Sequence, residues 1–343
     1  MRYIGSKQNL LDFLGRHIRS AMSKKDNLLF ADLFSGTTAV SKHFKKLGYR
    51  IVSNDYMTFS YVLQQAYILT NAPPDFESTP YSQYVKVLDF FNTLKPVKGF
   101  FYKNYCYEGT HNKPFSRNYF SGPNAMKIDA ILHQLKTWKE DGITIDCEDA
   151  VLRASLIEAV NNVSNISGTF GAFLKKDDPR KFNTLQLQPI NFIPSDKEHK
   201  CFNQDIKDII EKVEGDVLYL DPPYNQRQYP PYYHILETIS LGDEPDIYGK
   251  TGRRPYKEKL SPFCVRTKAA AAFENIIEKT PIDKIFLSYN TEGILSVPEL
   301  QNLLLNYGSV KIFTREYRRY KSNGNGSGDK KVQEVLLYVN RRR

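Results

Sequence analysis

The sequence has little of what marks a secreted, metal-binding or membrane protein. It contains four cysteines with no Cys-x-x-Cys pair, which disfavours both a disulfide framework and a zinc site. Its six histidines are dispersed without a ligand motif. No apolar run approaches the roughly 20 residues that cross a bilayer, and the first residues do not resemble a signal peptide. We therefore expect a cytoplasmic protein with no metal and no membrane contact.

The residues that are abundant point to a basic globular protein. The 343 residues are 41% hydrophobic and 25% charged, enough for one large domain or two. The net charge is +10, and the chain carries 23 tyrosines and 21 phenylalanines. Basic side chains neutralise phosphates, and aromatic rings stack on bases. The composition therefore favours a nucleic-acid partner without requiring one.

Apolar runs along the chain predict an α/β fold. Strands are predicted at 28–34 and 49–55, with helices at 7–22, at 39–47 and from the second strand to about 70. A strand, helix and strand in this order indicate a parallel sheet. The same alternation resumes late in the chain, with strands at 217–220, 285–288, 310–317 and 332–339 and helices at 269–279 and 297–306, and Asn203 is expected to cap a helix over 206–213.

The middle of the chain breaks this alternation. Between about 75 and 200 the pattern predicts helices near 81–94, 124–140 and 147–163, separated by polar loops. We expect residues 1–74 and 201–343 to form the sheet domain, with 75–200 as a mostly helical insertion. The stretch 150–200 is assigned to the insertion, with packing on the sheet domain left open.

The first chemical motif is the turn from Asp32 to Thr38, which follows the first sheet strand. Gly36 lets the backbone approach a ligand, and the following helix offers its N-terminal N–H groups. Asp55, twenty-three residues after Asp32, ends the next strand, where a carboxylate can accept both ribose hydroxyls of an adenosine. A tight turn with two incidental acids is the alternative. Without G-x-G-x-x-G, a dinucleotide site is not indicated.

The second motif is Asp221-Pro222-Pro223-Tyr224, directly after the strand at 217–220. The prolines fix the backbone, so a carboxylate, a carbonyl and an aromatic ring are held together. Such a set fits a planar amino group on a heteroaromatic ring: the Asp221 carboxylate and the Pro222 carbonyl accept its protons while Tyr224 stacks on the ring. Preorganised acceptors favour a nitrogen lone pair aimed at an electrophile. A structural proline turn is the alternative.

These motifs resemble those of the amino-directed DNA methyltransferases. Asp-Pro-Pro-Tyr resembles their catalytic motif, and the turn with Asp55 resembles their S-adenosylmethionine site. The segment from Arg2 to Lys7 resembles the N-terminal cofactor motif of the Dam-type, alpha-ordered adenine methylases. The extension 225–229 is more similar to type II restriction–modification methylases of the FokI and NlaIII kind. The resemblance covers about 1–70 and 150–343.

The resemblance implies a fold, an activity and partners. The fold would be a Rossmann-like, S-adenosylmethionine-dependent methyltransferase sheet whose insertion recognises the target. The activity would be methyl transfer to N6 of a flipped adenine in double-stranded DNA, releasing S-adenosylhomocysteine. The protein would protect DNA in a restriction–modification system, as a nucleoid-associated bacterial monomer needing no stable contact with an endonuclease.

Three alternatives stay open. An RNA adenine methyltransferase shares the fold and cofactor. A cytosine-N4 methyltransferase usually carries Ser at the position of Asp221. A nucleic-acid-binding protein with an inactive methyltransferase fold is the non-enzyme alternative.

The resemblance also assigns residues. The catalytic residues are expected to be Asp221, Pro222, Pro223 and Tyr224. The cofactor-binding residues are expected to be Tyr3, Lys7, Asp32, Phe34, Gly36, Asp55 and Asp221. Thr38 departs from the pattern, because many members have glycine there.

Nucleic-acid contacts are expected from basic and polar residues in four segments. The insertion supplies residues for base reading, and the loop 164–176 lies near the target nucleotide in this interpretation. The segment after the catalytic motif and the basic stretch 315–321 supply the others, with the basic stretch on phosphates. The residues are Lys113, Arg117, Asn118, Lys175, Arg227, Tyr229, Arg315, Arg318, Arg319 and Lys321.

Overall fold

The computed structural model describes residues 2–22, 27–318 and 331–341. The chain divides into two compact units. We call the first the sheet unit; it comprises Ser6–Gln64, Pro194–Tyr229 and Lys259–Arg343. We call the second the helical unit; it comprises Met1–Gly5, Gln65–Ile193 and Pro230–Glu258.

The sheet unit is built on a seven-stranded sheet in the order β3-β2-β1-β4-β5-β7-β6. The strands are β1 (Leu29–Asp32), β2 (Arg50–Asn54), β3 (Lys200–Phe202), β4 (Val217–Leu220), β5 (Lys284–Asn290), β6 (Gly308–Arg318) and β7 (Lys331–Arg341). β7 runs antiparallel to both of its neighbours, and the other pairs are parallel. The predicted α/β class, parallel sheet and terminal hairpin are confirmed, whereas β3 was not predicted.

The helices follow the predicted pattern with a few additions. They are α1 (Leu11–Ser20), α2 (Ala39–Lys46), α3 (Thr58–Gln64), α4 (Tyr84–Thr93), α5 (Phe100–Tyr105), α6 (Tyr107–Thr110), α7 (Gly122–Glu140), α8 (Asp146–Asn162), α9 (Ile206–Ile209), α10 (His234–Leu241), α11 (Arg266–Lys279) and α12 (Val297–Leu305). The short helices α5, α6 and α10 were not predicted. In the described ranges, no helix is both long and apolar enough to cross a membrane.

Both faces of the sheet are buried, which explains why its central strands are continuous apolar runs. Alternate residues of β1 point to opposite faces. Phe30 stacks on Phe44 of α2 with ring centroids 3.9 Å apart. Ala31 belongs instead to the core cluster on the other face, with Phe273 of α11 and Leu300 of α12. The sheet is therefore held rigidly from both sides, and its strand ends are fixed.

The prediction that Asn203 caps a helix is wrong. The N-cap of α9 is Asp205, whose side chain accepts a hydrogen bond from the Lys207 N–H. The Asn203 amide instead donates to the backbone carbonyl of Asp55 at 2.8 Å. Asn and Asp are both good caps, so the sequence pattern did not distinguish the two positions.

The helical unit packs around the long helices α7 and α8. Trp138 of α7 lies edge-on to Phe91 of α4, with ring centroids 4.9 Å apart. The Asp129 carboxylate accepts hydrogen bonds from the backbone N–H groups of Gly99, Phe101 and Tyr102. This carboxylate satisfies N–H groups at the start of α5 and ties that helix to α7.

Candidate active site

Three acidic residues follow neighbouring parallel strands at the same edge of the sheet. Asp32 ends β1, Asp55 comes directly after β2, and Asp221 comes directly after β4. β1 lies between β2 and β4, so this is where the strand order reverses. Open α/β sheets bind ligands at such a position, beyond the carboxyl ends of their strands.

The turn after β1 is organised by Asp55. One Asp55 carboxylate oxygen accepts a hydrogen bond from the Gly36 N–H at 2.8 Å, and the other accepts from the Met57 N–H at 2.9 Å. Gly36 has φ 49°, in the left-handed region that favours glycine. Thr38 has φ 61° although it is β-branched, which is an unusual and strained conformation. The turn thus keeps a left-handed shape at the position where the resemblance expects a second glycine.

Asp32 is a buried acid with unused hydrogen-bonding capacity. It is 1% exposed, and its Oδ2 accepts a hydrogen bond from the Ser41 hydroxyl at 2.7 Å. Its Oδ1 is buried and has no hydrogen-bond partner among the described residues. Burial raises the pKa of Asp32 to about 7, and the nearby charges of Asp221 and Asp55 act in the same direction. A buried orphan oxygen of this kind is costly unless a ligand satisfies it.

Asp221 forms a charge cluster with the buried Lys7 and the partly buried Glu334, which come from distant parts of the chain. The Lys7 ammonium lies 3.0 Å from an Asp221 carboxylate oxygen and 3.6 Å from a Glu334 carboxylate oxygen. Burial raises the pKa of Asp221 to about 6 and Glu334 adds to this, while the Lys7 charge opposes it. Burial lowers the pKa of Lys7, but the two carboxylates outweigh that effect and hold it well above its ordinary value. Lys7 therefore keeps Asp221 ionised near neutral pH.

Tyr224 is fixed beside this cluster. Its ring lies under the Lys7 ammonium at 5.4 Å and packs against the Tyr289 ring at 5.2 Å. Its backbone carbonyl accepts a hydrogen bond from the Ile294 N–H at 2.6 Å. Burial raises the pKa of the Tyr224 hydroxyl to about 12. The ring is thus a neutral aromatic surface, held in place near the Asp221 carboxylate.

The sequence patterns did not point to Glu334. It lies near the start of β7, opposite Asn290 at the end of β5. Functional residues were expected after strands, because that is the edge at which parallel strands end. Because β7 is antiparallel to its neighbours, its first residues lie at the edge where the parallel strands end. An acidic residue near the start of the final strand is therefore the sequence signal that could have indicated Glu334.

The structure places the predicted cofactor residues in both units. Lys7, Asp32, Phe34, Gly36, Asp55 and Asp221 all lie in the sheet unit. Phe34 packs edge-on against Phe263 at 5.5 Å. Tyr3 belongs to the helical unit, where its ring stacks on Tyr233 at 4.6 Å.

Several predicted nucleic-acid contacts are exposed side chains. Lys113, Lys175, Arg227 and Arg315 are exposed, and Tyr229 is partly buried. Arg315 lines a cleft of about 450 Å³ together with Arg16 and His17. Arg318 ends β6, and its side chain is not described. Arg319 and Lys321 lie outside the described residues.

Two of the predicted base-reading residues are engaged inside the helical unit. Arg117 is 6% exposed, and its guanidinium donates to the backbone carbonyls of Asn104, Gly249 and Lys250. The Asn118 amide donates to Asp177 and accepts from Lys181. The geometry corrects the expectation for Arg117: its donors hold the backbone of this unit, so we no longer assign it to base reading.

Side chains that could ligate a metal ion are scattered rather than clustered. Across 2–22, 27–318 and 331–341, no group of three or more His, Cys, Asp or Glu side chains is arranged to hold one.

The chain matches a known protein family over most of its length. A family model for D12 class N6 adenine-specific DNA methyltransferases matches residues 3–303. The chain belongs to this family. The acids and the Asp-Pro-Pro-Tyr segment described above therefore lie within the region that matches this family, and methyltransferases use S-adenosylmethionine.

Type II methyltransferases are among the proteins to which this chain is similar. It is 40% identical to the type II methyltransferase M.FokI from Planomicrobium okeanokoites over 99% of this chain, but over 52% of that protein. The chain thus spans about half the length of that relative. It is 33% identical to the type II methyltransferase M.NlaIII from Neisseria lactamica, over 99% of this chain and 98% of that protein.

Solved structures are more distant. The rRNA methyltransferase aviRa from Streptomyces viridochromogenes aligns with a TM-score of 0.31 and 9% sequence identity, covering 98% of this chain and 86% of that one. A likeness this low carries no argument about substrate.

Proposed function

We propose that this chain transfers a methyl group from S-adenosylmethionine to N6 of an adenine in double-stranded DNA, as the modification enzyme of a restriction–modification system. The observation that carries the proposal is the partly buried Asp221 carboxylate, held by Lys7 directly after β4 with Tyr224 beside it. The type II methyltransferases among its relatives support the same activity.

The residues after β4 would activate the amino group. Asp221, ionised near neutral pH, accepts one proton of the adenine amine as a hydrogen bond, and the Pro222 carbonyl accepts the other. Tyr224 stacks on the base and keeps the amine at the carboxylate. Two fixed acceptors draw the nitrogen lone pair out of conjugation and aim it at the methyl donor. Asp221 would take up the proton that the amine loses on methylation, while the methyl–sulfur bond of the cofactor breaks and S-adenosylhomocysteine leaves.

The residues at the ends of β1 and β2 would hold the cofactor. When bound, S-adenosylmethionine supplies an electrophilic methyl group on a sulfonium. The buried Oδ1 of Asp32, which lacks a partner among the described residues, suits a donor from such a ligand. Asp55 accepts ribose hydroxyls while its hydrogen bond to Gly36 shapes the turn, and Phe34 covers the adenine ring. Tyr3 and Lys7 remain predicted contacts from the N-terminal motif.

Asp55→Ala is expected to weaken S-adenosylmethionine binding by about 1.5–3 kcal/mol, the usual value of hydrogen bonds to a charged group. Titration calorimetry measures the affinity directly. Asp205→Ala is the matched control, because it also removes a carboxylate that accepts a backbone N–H, at the N-cap of α9. The control should lose stability but retain cofactor affinity. Equal affinity in wild type and Asp55→Ala would remove Asp55 from the cofactor site.

Glu334→Gln is expected to shift the acidic limb of the activity profile to lower pH. Glu334 raises the pKa of Asp221 by charge repulsion, so a neutral amide lets Asp221 ionise at lower pH. Asp221 must be ionised to accept the amine proton, and activity therefore appears earlier as the pH rises. Turnover measured across acidic to neutral buffers at saturating substrates tests this. A limb that moves to higher pH contradicts the role of Glu334.

The target adenine must leave the duplex to reach this site, because its amino group is otherwise paired. We propose that the helical unit recognises the target, with the exposed Lys113 and Lys175 in contact with DNA. Arg227, Tyr229 and Arg315 contact DNA from the sheet unit, and Arg318, Arg319 and Lys321 extend that basic stretch.

Neutralising Arg315 should weaken binding to all duplexes equally and reduce the slope of log affinity against log salt concentration by about one.

A methylation assay tests the proposed function. Purified protein, labelled S-adenosylmethionine and a sequenced genomic DNA should give N6-methyladenine at one short sequence, located by mapping modified bases. A matched RNA transcript should stay unlabelled. Labelled RNA, N4-methylcytosine or cofactor binding without turnover would each support one of the three alternatives and contradict this proposal.

We also propose that the chain acts as a monomer, without stable contact to an endonuclease. Light scattering at the protein concentration of the methylation assay should give the mass of a single chain. A dimer mass at that concentration contradicts this.

A further inference from the structure

The turn Tyr248–Arg253 of the helical unit is held by an unusual set of hydrogen bonds. The backbones of Tyr248 and Arg253 exchange hydrogen bonds at 2.8 and 3.0 Å, which closes the turn. Inside it, four successive carbonyl oxygens accept from side chains of one segment. Arg117 donates to Gly249 at 2.9 Å and to Lys250 at 3.2 Å, and Tyr105 donates to Gly252 at 2.8 Å. The Tyr119 hydroxyl shares its one proton between the Phe170 carbonyl at 2.7 Å and the Thr251 carbonyl at 3.2 Å.

The three supporting side chains are almost completely buried. Tyr105 and Tyr119 are each 0% exposed, and Arg117 is 6% exposed. Burying an arginine is expensive unless its donors are satisfied, and here they are satisfied by backbone rather than by a carboxylate. Gly252 has φ 67°, and a Cβ there would lie 2.8 Å from Arg117 Nε. The turn and its supports are therefore fitted closely to each other.

This support determines where the backbone N–H groups of the turn point. In a planar trans peptide the carbonyl of one residue is opposite to the N–H of the next. Arg117 binds the carbonyls of Gly249 and Lys250, so the N–H groups of Lys250 and Thr251 point away from it. In the part of the chain that the structure describes, neither N–H has a hydrogen-bond acceptor. Adjacent outward N–H groups form a concavity that binds anions.

One exposed lysine lies on the turn itself, and two more lysines lie on the segment that supports it. Lys250 itself is exposed, as is Lys103. The Lys113 ammonium donates to the backbone carbonyl of Lys103 and to the side chain of Asn104, and Asn104 is bound through its carbonyl to Arg117 at 3.3 Å. Three exposed acids, Asp243, Glu244 and Asp246, precede the turn, and Asp243 is paired with Arg254 at 2.7 Å. The turn thus combines the exposed Lys250 side chain with outward N–H donors.

We propose that the turn Tyr248–Arg253 is a preformed clamp for a backbone phosphate of duplex DNA. This inference rests on the proposed function, since it names a DNA contact of the same enzyme. The N–H groups of Lys250 and Thr251 bind phosphate oxygens, and the Lys250 ammonium neutralises the charge. Arg117, Tyr105 and Tyr119 are positioning residues that fix the turn before DNA arrives. A fixed phosphate contact sets the register of the protein on DNA without reading bases.

Lys250→Gln is the primary test. We expect weaker binding to a duplex containing the mapped site and to a scrambled duplex, by the same factor. The slope of log affinity against log salt should fall by about one. Fluorescence anisotropy at several salt concentrations measures both. Lys136→Gln is the matched control, because Lys136 is an exposed lysine of the same unit that pairs with Glu140 on α7; its slope should equal that of wild type.

Arg117→Lys separates a positioning role from a direct charge contact. Lysine keeps the positive charge but cannot bond several carbonyls with a fixed planar group. We expect this variant to lose the same salt-dependent contact, and the loss should not add to that of Lys250→Gln in the double variant. Thermal unfolding shows whether Arg117→Lys folds. If it does not fold, the test of the phosphate contact depends on Lys250→Gln alone, because that substitution changes an exposed side chain.

The outcomes distinguish this inference from the proposed function. If the wild type methylates duplex DNA but Lys250→Gln keeps its affinity and salt slope, the phosphate clamp is overturned while the proposed function stands. A loss confined to the cognate duplex means that Lys250 reads bases, which also overturns the clamp. Wild-type protein that neither binds nor methylates duplex DNA contradicts the proposed function itself.

Discussion

Asp221→Asn is expected to lower methyl transfer by about 10²–10⁴-fold, the usual contribution of a positioned proton acceptor. The amide keeps the shape of the carboxylate and one acceptor oxygen, but it carries no charge and takes no proton from the methylated amine. Single-turnover methylation with saturating cofactor and DNA measures this step apart from product release. Asp221→Asn should also leave Lys7 paired with Glu334 alone.

The control for Asp221→Asn is the affinity for the two substrates. Calorimetry should show cofactor binding within a few-fold of wild type, because Asp32 and Asp55 are unchanged. Anisotropy should show near wild-type affinity for the cognate duplex. A variant that loses turnover only because it no longer binds cofactor would place Asp221 in binding rather than in chemistry, and near wild-type turnover would remove it from both.

Much of the sheet was predictable because its strands are buried on both faces. Such strands leave continuous apolar runs, and β4 lies within the bounds predicted for it. β3 has three residues and borders the sheet, so it leaves no run to detect. The acids Asp32, Asp55 and Asp221 were predictable for a related reason: each follows a detectable strand.

The contacts of the site were harder to predict because they join distant parts of the chain. Nothing near Glu334 in the sequence indicates Lys7, and only the antiparallel course of β7 brings the two together. Arg117 shows the opposite error. Arg117 lies in a polar segment whose composition is typical of a surface loop. Its side chain is nevertheless buried, because it donates hydrogen bonds to backbone carbonyls more than 130 residues away in the sequence. A sequence pattern shows whether a side chain is polar or apolar. It does not show which distant backbone carbonyls accept the hydrogen bonds of that side chain.

Lys7→Met is expected to shift the acidic limb of the activity profile to higher pH by about 1–2 units, the usual effect of removing an opposite charge next to a carboxyl group. With Lys7 in place, burial raises the pKa of Asp221 to about 6, and the Lys7 charge opposes that rise. Without it, Asp221 and Glu334 face each other as like charges, and one takes up a proton. Turnover at neutral pH should therefore fall and recover in alkaline buffer.

This shift is opposite in sign to the one expected for Glu334→Gln, and the pair tests the charge cluster as a unit. Lys7→Arg restores the positive charge and should return the limb toward its wild-type position. The KM for S-adenosylmethionine distinguishes the two roles open to Lys7. A raised KM with an unmoved limb means that Lys7 binds cofactor, as the N-terminal motif predicts. A moved limb with an unchanged KM means that Lys7 acts through Asp221, which is what the 3.0 Å contact between them indicates.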